Sequence, residues 1–239
     1  MSTPAAPGNS PTVDFGRCFG FVTADPDWVK KVLIGGAFVL LSMVIVGAFF
    51  VAGYWVRFVR RVAAGEARPL PEWDDLGGIF SDGLKVVGTW FTYVFGMLAV
   101  VAALGCMIGM VALGIGGLPE GSHDARSAVA ALGGLALVAV YGLLALLGLA
   151  LAIFLPAVFV RVAIKDRFEE AFAFRETVRF IQANLGNYAL SLVFHLVARF
   201  ASQFGLLLCC VGVFPAAFWS ALVLGYALGE TVRLNPRSV

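Results

Sequence analysis

Charged side chains are scarce in this sequence, and their scarcity indicates the class of protein. Only 13% of the 239 residues are Asp, Glu, Lys or Arg, whereas 60% are hydrophobic. A soluble domain carries about 25% charged residues, so roughly half of the usual polar surface is missing. The composition therefore indicates an integral membrane protein.

Features that would point to a particular chemistry are missing as well. Lys and Arg total 17 against 15 Asp and Glu, so the net charge of +2 offers no basic field for nucleic acid. The four cysteines (Cys18, Cys106, Cys209 and Cys210) have neither CxxC spacing nor companion histidines, which argues against zinc ribbons and disulfide frameworks. No GxSxG, HExxH, P-loop or dinucleotide motif occurs. We expect no enzymatic activity, no cofactor and no nucleic-acid partner.

Long uncharged stretches predict the membrane-spanning helices, since about 20 residues cross a hydrocarbon core of about 30 Å. They lie near residues 32–56, 86–113, 130–160, 184–204 and 206–229. The sequence thus predicts an all-α, polytopic helical membrane bundle of about five transmembrane helices. One domain, residues 25–233, would hold them all. Residues 1–24 are predicted to be a disordered or interfacial tail, and residues 234–239 a short C-terminal tail.

Arginine and lysine predict the orientation, because cytoplasmic loops collect them. Loops 57–85 and 161–183 and the C-terminus are basic and are predicted to be cytoplasmic. Lys30 and Lys31 do not fit, since a single crossing at 32–56 places them outside. If that segment instead dips in and returns, with Gly47 near its tip, both of its basic flanks become cytoplasmic. Four spans plus a re-entrant first segment is therefore the alternative architecture.

Two cytoplasmic segments are predicted to lie at the membrane interface. In the first, Trp73 is the headgroup-level anchor, and Ser81 and Asp82 cap the second span. Its candidate motif residues are Pro69, Pro71, Trp73, Asp74, Asp75 and Asp82. Helix capping, anchoring or docking of a soluble partner explains these carboxylates more simply than catalysis does.

The second interfacial segment is an amphipathic helix over residues 168–185. Its apolar side chains share one arc of the helical wheel, and Glu169, Arg175, Glu176 and Arg179 share another. The apolar arc consists of Ala171, Phe174, Val178, Ile181 and Leu185.

A polar stripe in the fourth span is the clearest anomaly. It consists of Asn187, Ser191, His195, Arg199 and Gln203, which follow one another at intervals of four residues. Polar groups at membrane depth usually face a bundle interior, a cavity or a partner, so the stripe suggests a substrate path or a proton relay. If the helix ends near Gly205, Arg199 instead extends to the outer headgroups from its last turns.

Small residues predict where helices pack closely in lipid. They recur every four residues in the last span and form a GxxxG pair in the second. The candidate packing residues are Gly105, Gly109, Ala217, Ala221, Gly225 and Gly229. Packing within one bundle explains them, and docking of a second copy or of another membrane protein is the alternative.

Two weaker candidates complete the list. Glu120, His123 and Asp124 could bind a metal, although solvated turn chemistry explains them more simply, and we expect no metal site. Cys209 and Cys210 are interpreted as buried small apolar residues.

The loop between the first two spans also carries a resemblance. Gly53-Tyr54, the following RFVRRVAAGEARPLPEWDD and then GIFSDGLK resemble the signature of an uncharacterised prokaryotic integral-membrane family, a domain of unknown function. LCCVGVFPAAFWSALVLGYALGE is similar to that family's closing helix. The resemblance extends from about Asp25 to Arg233 and implies a multi-pass protein of the prokaryotic cytoplasmic (inner) membrane. It implies no activity, substrate or catalytic residue.

Two functions remain open at this point. In the first, the protein is a non-enzymatic membrane scaffold or accessory subunit, and its partners are the lipid bilayer and a membrane protein or a second copy of itself. In the second, it is a small transporter, channel or lipid-handling protein that uses the Asn187–Gln203 stripe. The first asks less of the sequence, because Arg199 is the only charged residue within the predicted spans.

Overall fold

A computed structural model of the chain describes residues 12–116, 123–207 and 211–239. All regular structure in these ranges is helical, which confirms the predicted fold class. The α-helices are α1 (Phe15–Gly20), α2 (Trp28–Leu41), α3 (Val46–Ala63), α4 (Leu76–Gly116), α5 (His123–Lys165), α6 (Phe174–Ala183), α7 (Leu185–Ser202) and α8 (Val213–Leu234).

Three helices in the described ranges are long and apolar enough to cross a membrane. They are Leu76–Met110 within α4, Ala131–Lys165 within α5, and Val213–Leu234, which is α8. The predicted spans near 86–113 and 130–160 fall largely within the first two. The predicted span near 206–229 overlaps α8, and α7 covers most of 184–204. The number of crossings stays a prediction.

The first predicted span is not one helix. A short 3-10 helix, Ser42–Val44, separates α2 from α3, and Ile45 follows it with a φ of 69°. The two arms pack against each other, with the Phe38 and Phe50 rings stacked at 4.7 Å. One helical span was predicted near residues 32–56, and the structure instead breaks this stretch at residues 42–45 into a helical hairpin. A hairpin is the shape that the alternative requires, and its re-entry into the membrane stays a prediction.

Gly47 makes the tight tip of this hairpin possible. A Cβ atom at this position would lie 2.1 Å from the Phe38 carbonyl oxygen and 2.5 Å from the Ser42 nitrogen. Both distances are far below van der Waals contact, so only glycine lets the start of α3 approach the end of α2 this closely.

The chain divides into two compact units. The first extends to Thr89 and resumes at Pro156, and α8 is its centre, packed against α2, α3 and α7. Phe218 and Leu222 of α8 are buried in its core. The second unit, Trp90–Leu155, contains parts of α4 and α5, and Tyr93 and Phe154 face each other there with ring centroids 6.3 Å apart.

The contact of α3 with the start of α4 depends on two glycines. A Cβ at Gly53 would lie 1.7 Å from the Ile79 carbonyl oxygen, and one at Gly83 would lie 1.8 Å from the Phe49 carbonyl oxygen. The backbones of the two helices therefore touch directly, which is the close approach that small residues permit.

Residues 12–24 of the predicted N-terminal tail are largely helical rather than disordered, and an interfacial position for the tail stays a prediction. These residues form α1 and a 3-10 helix, Phe21–Ala24, and Cys18 and Phe21 are buried. The Val13 backbone N–H donates to Asn187 Oδ1 at 3.2 Å, and the Phe21 ring stacks on Tyr226 at 5.1 Å. This stretch is part of the core because its apolar side chains fill the space beside α7 and α8. Residues 1–11 lie outside the described ranges.

Two local predictions also change. α4 begins at Leu76, where the Asp75 carboxylate accepts the Gly78 N–H at 2.9 Å, so Asp75 caps the helix and Ser81 and Asp82 lie inside it. The predicted helix over 168–185 is divided into a 3-10 helix, Phe168–Phe172, α6, and the first residue of α7.

Candidate functional site

The loop between α3 and α4 is held against the open end of the α2–α3 hairpin. Its residues Pro69, Leu70 and Pro71 are buried. The Tyr54 hydroxyl of α3 donates to the Pro71 carbonyl at 3.0 Å. The Trp73 indole N–H donates to the Lys31 carbonyl of α2 at 3.1 Å. Hydrogen bonds thus join the loop to both arms of the hairpin.

Trp73 does not extend freely from this loop. Its ring stacks on Tyr54 at 4.2 Å and on Phe38 at 4.9 Å, and Phe218 of α8 lies 6.1 Å away. Trp73 is a partly buried member of an aromatic cluster, and its position at headgroup level stays a prediction. Its proline-rich neighbours place it in this cluster, because they fix the backbone that leads into the cluster.

Lys31 is a buried cation at the centre of this contact. Its ammonium group lies 2.7 Å from Asp25, 2.5 Å from Glu72 and 3.3 Å from the Leu70 carbonyl. Lys31 and Asp25 are each 4% exposed, whereas the Glu72 side chain is 62% exposed. Burial disfavours both charges of the Lys31–Asp25 pair, but their hydrogen bond outweighs it. The pKa of Lys31 is therefore raised and that of Asp25 lowered.

The sequence prediction missed the role of Lys31. It treated Lys30 and Lys31 only as a misplaced pair of flanking charges. That misfit was the available signal, since a hairpin returns both flanks to the same end.

A second group of ion pairs joins α3 to α4 and to the residues that follow α5. Arg57 binds Asp75 at 2.8 Å and Asp82 at 2.9 Å. Arg60 binds Asp82 at 3.2 Å and also pairs with Asp166. We call these residues, with Lys85, the ion-pair cluster. Asp82 is therefore a bridge between two arginines rather than a helix cap.

Asp166 closes the cluster. Lys85 lies 2.5 Å from its carboxylate, and the Arg60 Nε donates to the Ala163 carbonyl at 2.6 Å. The hydrogen bond from Lys85 holds the pKa of Asp166 below its usual range, and the hydrogen bond from Arg57 does the same for Asp75. Each carboxylate is kept ionised by a neighbouring cation, which is the behaviour of a structural network.

Five of the six loop-motif residues therefore contact the hairpin or belong to the ion-pair cluster, and Asp74 does neither. Pro69, Pro71 and Trp73 contact the hairpin, and Asp75 and Asp82 belong to the ion-pair cluster. Asp74 is exposed, and its carboxylate accepts the Asp75 backbone N–H at 3.0 Å. It also lines a cleft of about 350 Å³ with Lys30, Lys31 and Glu72.

The polar stripe of α7 separates into bound and exposed members. Asn187 accepts the Val13 N–H, Ser191 is buried and donates to the Asn187 carbonyl at 2.7 Å, and His195 Nδ1 lies 3.1 Å from the Ser220 carbonyl. Arg199 and Gln203 are exposed where α7 ends at Ser202 and becomes a 3-10 helix, Gln203–Leu207. This end near Gly205 is the geometry in which Arg199 reaches outward from the last turns.

The candidate packing residues differ in whether another helix lies against them. A Cβ at Gly225 would lie 2.7 Å from Trp55 Nε1, and one at Gly229 would lie 2.9 Å from Val62, so α8 rests on α3 there. The Trp55 indole donates to the Ala221 carbonyl at 3.0 Å. The carbonyl of Ala217 accepts the Ser220 hydroxyl within α8. For Gly105 and Gly109, the described structure places no such neighbouring atom within 4 Å.

The metal candidates lie outside what the structure describes: Glu120 is not among the described residues, and neither are the side chains of His123 and Asp124. Cys209 and Cys210, interpreted as buried apolar residues, also lie outside the described residues. Among the residues that the structure describes, no three His, Cys, Asp or Glu side chains are grouped as a metal site would require.

Comparison with known proteins identifies a family. No curated protein and no solved structure matches the chain. The match that is found covers residues 37–211, from within α2 to the beginning of the stretch before α8, and so includes the hairpin tip, the loop and the ion-pair cluster. This protein belongs to the family described as "Protein of unknown function (DUF4013)".

Proposed function

We propose that this membrane protein is a non-enzymatic scaffold or accessory subunit. The observation that carries the proposal is that most polar groups of the two candidate sites, the loop motif and the α7 stripe, bind the chain itself. Lys31, Arg57 and Arg60 are engaged with carboxylates of the chain. Groups committed in this way stabilise a fixed surface, which is what a scaffold presents to a partner.

The loop offers such a surface. Its buried prolines and its contacts with the hairpin fix the backbone, while the side chains of Glu72 and Asp75 are 62% and 61% exposed. Asp74 is exposed beside them. A fixed acidic edge of this kind suits a partner with basic side chains. Because the loop backbone is already held by the hairpin, binding would cost little conformational entropy.

The bound members of the stripe support the same proposal. Asn187 accepts the N–H of Val13, which precedes α1, and His195 contacts the Ser220 carbonyl of α8, while Ser191 bonds within α7. The contacts of Asn187 and His195 join α7 to neighbouring segments, as interhelical hydrogen bonds do in a bundle.

The proposed orientation has this surface in the cytoplasm of a prokaryote, with the chain in the inner membrane. Ion pairs place loop 57–85 at the same end of the first unit as the residues after α5. The C-terminal Asn235 lies 3.2 Å from Asn184, which follows α6. Both basic loops and the C-terminus then lie on the side that collects arginine and lysine.

Thiol accessibility tests the proposal. Single cysteines replace Ser191, His195, Arg199 and Gln203 in a background without native cysteines, and a membrane-impermeant reagent is added from each side. A packed stripe predicts that Ser191→Cys and His195→Cys stay unlabelled while Gln203→Cys reacts. Labelling of the first two would indicate a water-filled path and favour the transporter.

A flux assay gives an independent test. The purified protein is reconstituted in liposomes that contain fluorescent indicators for ions and a labelled lipid in one leaflet. We expect the rates of ion leak and lipid exchange to equal those of protein-free liposomes. A faster rate that the His195→Leu variant abolishes would contradict the scaffold function.

A further inference from the structure

We propose that residues Phe168–Ala183 form a binding surface for anionic phospholipid headgroups. We call this segment, the 3-10 helix and α6 together, the interfacial segment. The proposal goes beyond the scaffold function and does not depend on it, since a transporter could carry the same surface.

α6 presents three different arcs around its axis. With 100° between successive residues, Thr177 and Phe180 fall on one arc, and both are fully buried against the core. Phe174 and Val178 fall on a second arc, and both are exposed. Phe174 and Val178 belong to the apolar face that the sequence predicted, so this part of the predicted face points away from the core. Phe180, which does not fit that face, is the residue that packs inside.

Arg175 and Arg179 form the third arc. Both are exposed, and neither has an ion-pair partner among the described residues. Two nearby carboxylates are already engaged, because Glu169 pairs with Arg167 and Glu170 pairs with Arg161. Glu176 lies about 60° from Arg179 around the helix, but it forms no ion pair with Arg175 or Arg179 among the described residues. The arc therefore offers two free guanidinium groups next to exposed apolar side chains.

The phenylalanines of the 3-10 helix extend the apolar face. Phe168, Phe172 and Phe174 are between 40% and 54% exposed. The Phe168 and Phe172 rings meet edge to face at 5.7 Å. Three aromatic rings exposed within seven residues form a patch that water solvates poorly, which marks an interaction surface.

The core holds this segment in a fixed orientation. Arg161, which is 4% exposed, lies 2.5 Å from Glu170, and Ala171 is buried beside them. At the other end, the Asn184 amide donates to the Phe180 carbonyl at 2.9 Å, and Asn235 donates to Asn184. The exposed rings and arginines are therefore displayed by a structure anchored at both ends.

A lipid surface is the occupant that these observations favour. Aromatic and apolar side chains enter the boundary between headgroups and acyl chains, and neighbouring arginines then lie at the level of the phosphates. A guanidinium group binds phosphate through two parallel hydrogen bonds. The segment also belongs to a chain in which three described helices are long and apolar enough to cross the membrane, so a lipid surface would be continuous with their surroundings.

Quenching by brominated lipids tests the proposal in the full-length protein. A cysteine replaces Val178 in a background without native cysteines and carries an environment-sensitive fluorophore. The protein is reconstituted in phosphatidylcholine vesicles containing about 20% phosphatidylglycerol, and either lipid is brominated in turn. We expect brominated phosphatidylglycerol to quench several-fold more per molecule than brominated phosphatidylcholine, because each arginine near the surface favours an anionic headgroup by roughly fivefold.

Arginine variants complete the design. In Arg175→Gln/Arg179→Gln the two brominated lipids should quench equally, and in Arg175→Lys/Arg179→Lys a reduced preference should remain. Arg167→Gln is the matched control, because Arg167 is an exposed arginine that immediately precedes the segment and already pairs with Glu169. The lipid preference of this variant should be unchanged. The fluorophore also reports the thermal unfolding midpoint, which should be the same in all variants.

Three results would overturn the proposal. The first is equal quenching by both lipids in the protein with its arginines intact. The second is a preference that survives Arg175→Gln/Arg179→Gln. The third is no quenching by either lipid, which would mean that protein, from a second copy or another chain, covers this face.

Discussion

Two helical hairpins of the first unit are held together in different ways. The α2–α3 hairpin has arms of 14 and 18 residues, and the α7–α8 hairpin has arms of 18 and 22 residues. The open end of the first hairpin is bound by the loop between α3 and α4. Lys31 pairs with Glu72 of that loop, the Tyr54 hydroxyl donates to a loop carbonyl, and Trp73 of the loop donates to the Lys31 carbonyl. In the second, the arms also contact each other through a polar side chain, since His195 Nδ1 of α7 lies 3.1 Å from the Ser220 carbonyl of α8.

This difference shows what the charged residues do. In the first hairpin a buried ammonium group ties α2 to both Asp25 and the loop. In the second, polar groups bind nearby backbone and the charged Arg199 stays exposed. Disruption of the first hairpin should therefore cost more stability than an equivalent change in the second.

Lys31→Met should have the largest effect. It removes the cation that compensates the buried Asp25 carboxylate, and an unpaired buried charge costs about 3 kcal/mol. Thermal or denaturant unfolding in detergent, followed by tryptophan fluorescence, measures the loss. The adjacent Lys30→Met is the matched control, because Lys30 is exposed, and it should change the unfolding free energy by less than about 0.5 kcal/mol. Equal effects of the two substitutions would contradict the account.

Acid should weaken the first hairpin. The pKa values of Asp25, Asp75 and Asp166 are lower in the folded protein than their ordinary values. Their contribution to stability is therefore present above about pH 4 and is lost as the pH falls through the folded pKa values. Unfolding midpoints measured from about pH 7 to pH 3 should fall at the acid end.

The same titration has a variant control. Arg57→Gln removes the hydrogen bond that lowers the Asp75 pKa, so its acid loss should be smaller than that of the unmodified protein. An identical pH profile would show that Arg57 and Asp75 do not interact in the folded state.

Gly47→Ala should open the hairpin tip. The new methyl group would lie 2.1 Å from the Phe38 carbonyl oxygen, and overpacking of this kind costs about 2 kcal/mol. Gly105→Ala is the control within another helix, where the described structure leaves the methyl group free of contacts within 4 Å. Since alanine favours helix, that variant should be neutral or slightly more stable. A neutral Gly47→Ala would argue against the tight turn.

Tyr54→Phe should have a smaller effect. It removes the buried hydrogen bond to the Pro71 carbonyl, which is worth about 1 kcal/mol. Tyr226→Phe is the matched change in the second hairpin, because Tyr226 follows Gly225 as Tyr54 follows Gly53 and its ring is only half-buried. Its effect on the unfolding midpoint should be smaller. The reverse order would break the comparison between the hairpins.

Composition and periodicity were sufficient for the fold class and for the positions of the long helices. Apolar runs of more than 25 residues, as in α4 and α5, have few alternatives to a helix. The break at Ile45 could not be located in this way, because the surrounding residues form one continuous apolar stretch. A β-branched residue with positive φ is disfavoured locally, so the turn depends on tertiary packing.

The candidate sites were predictable only in part. The loop motif was recognised, but the partners of its side chains come from α2, α3 and the end of α5. Asp82, for example, looks like a helix cap in sequence and binds two arginines in space. The regular spacing of the α7 stripe was visible, yet the backbone groups of Val13 and Ser220 that bind it leave no sequence signal.

Sided labelling of the first hairpin tests the central claim most directly. Single cysteines replace Lys30, Met43 and Arg68 in a background without native cysteines, and an impermeant thiol reagent is applied to each side of oriented membrane vesicles. A hairpin predicts that positions 30 and 68 react from the same side. Reaction of these two positions from opposite sides would show that the segment crosses the membrane once, and would contradict the account.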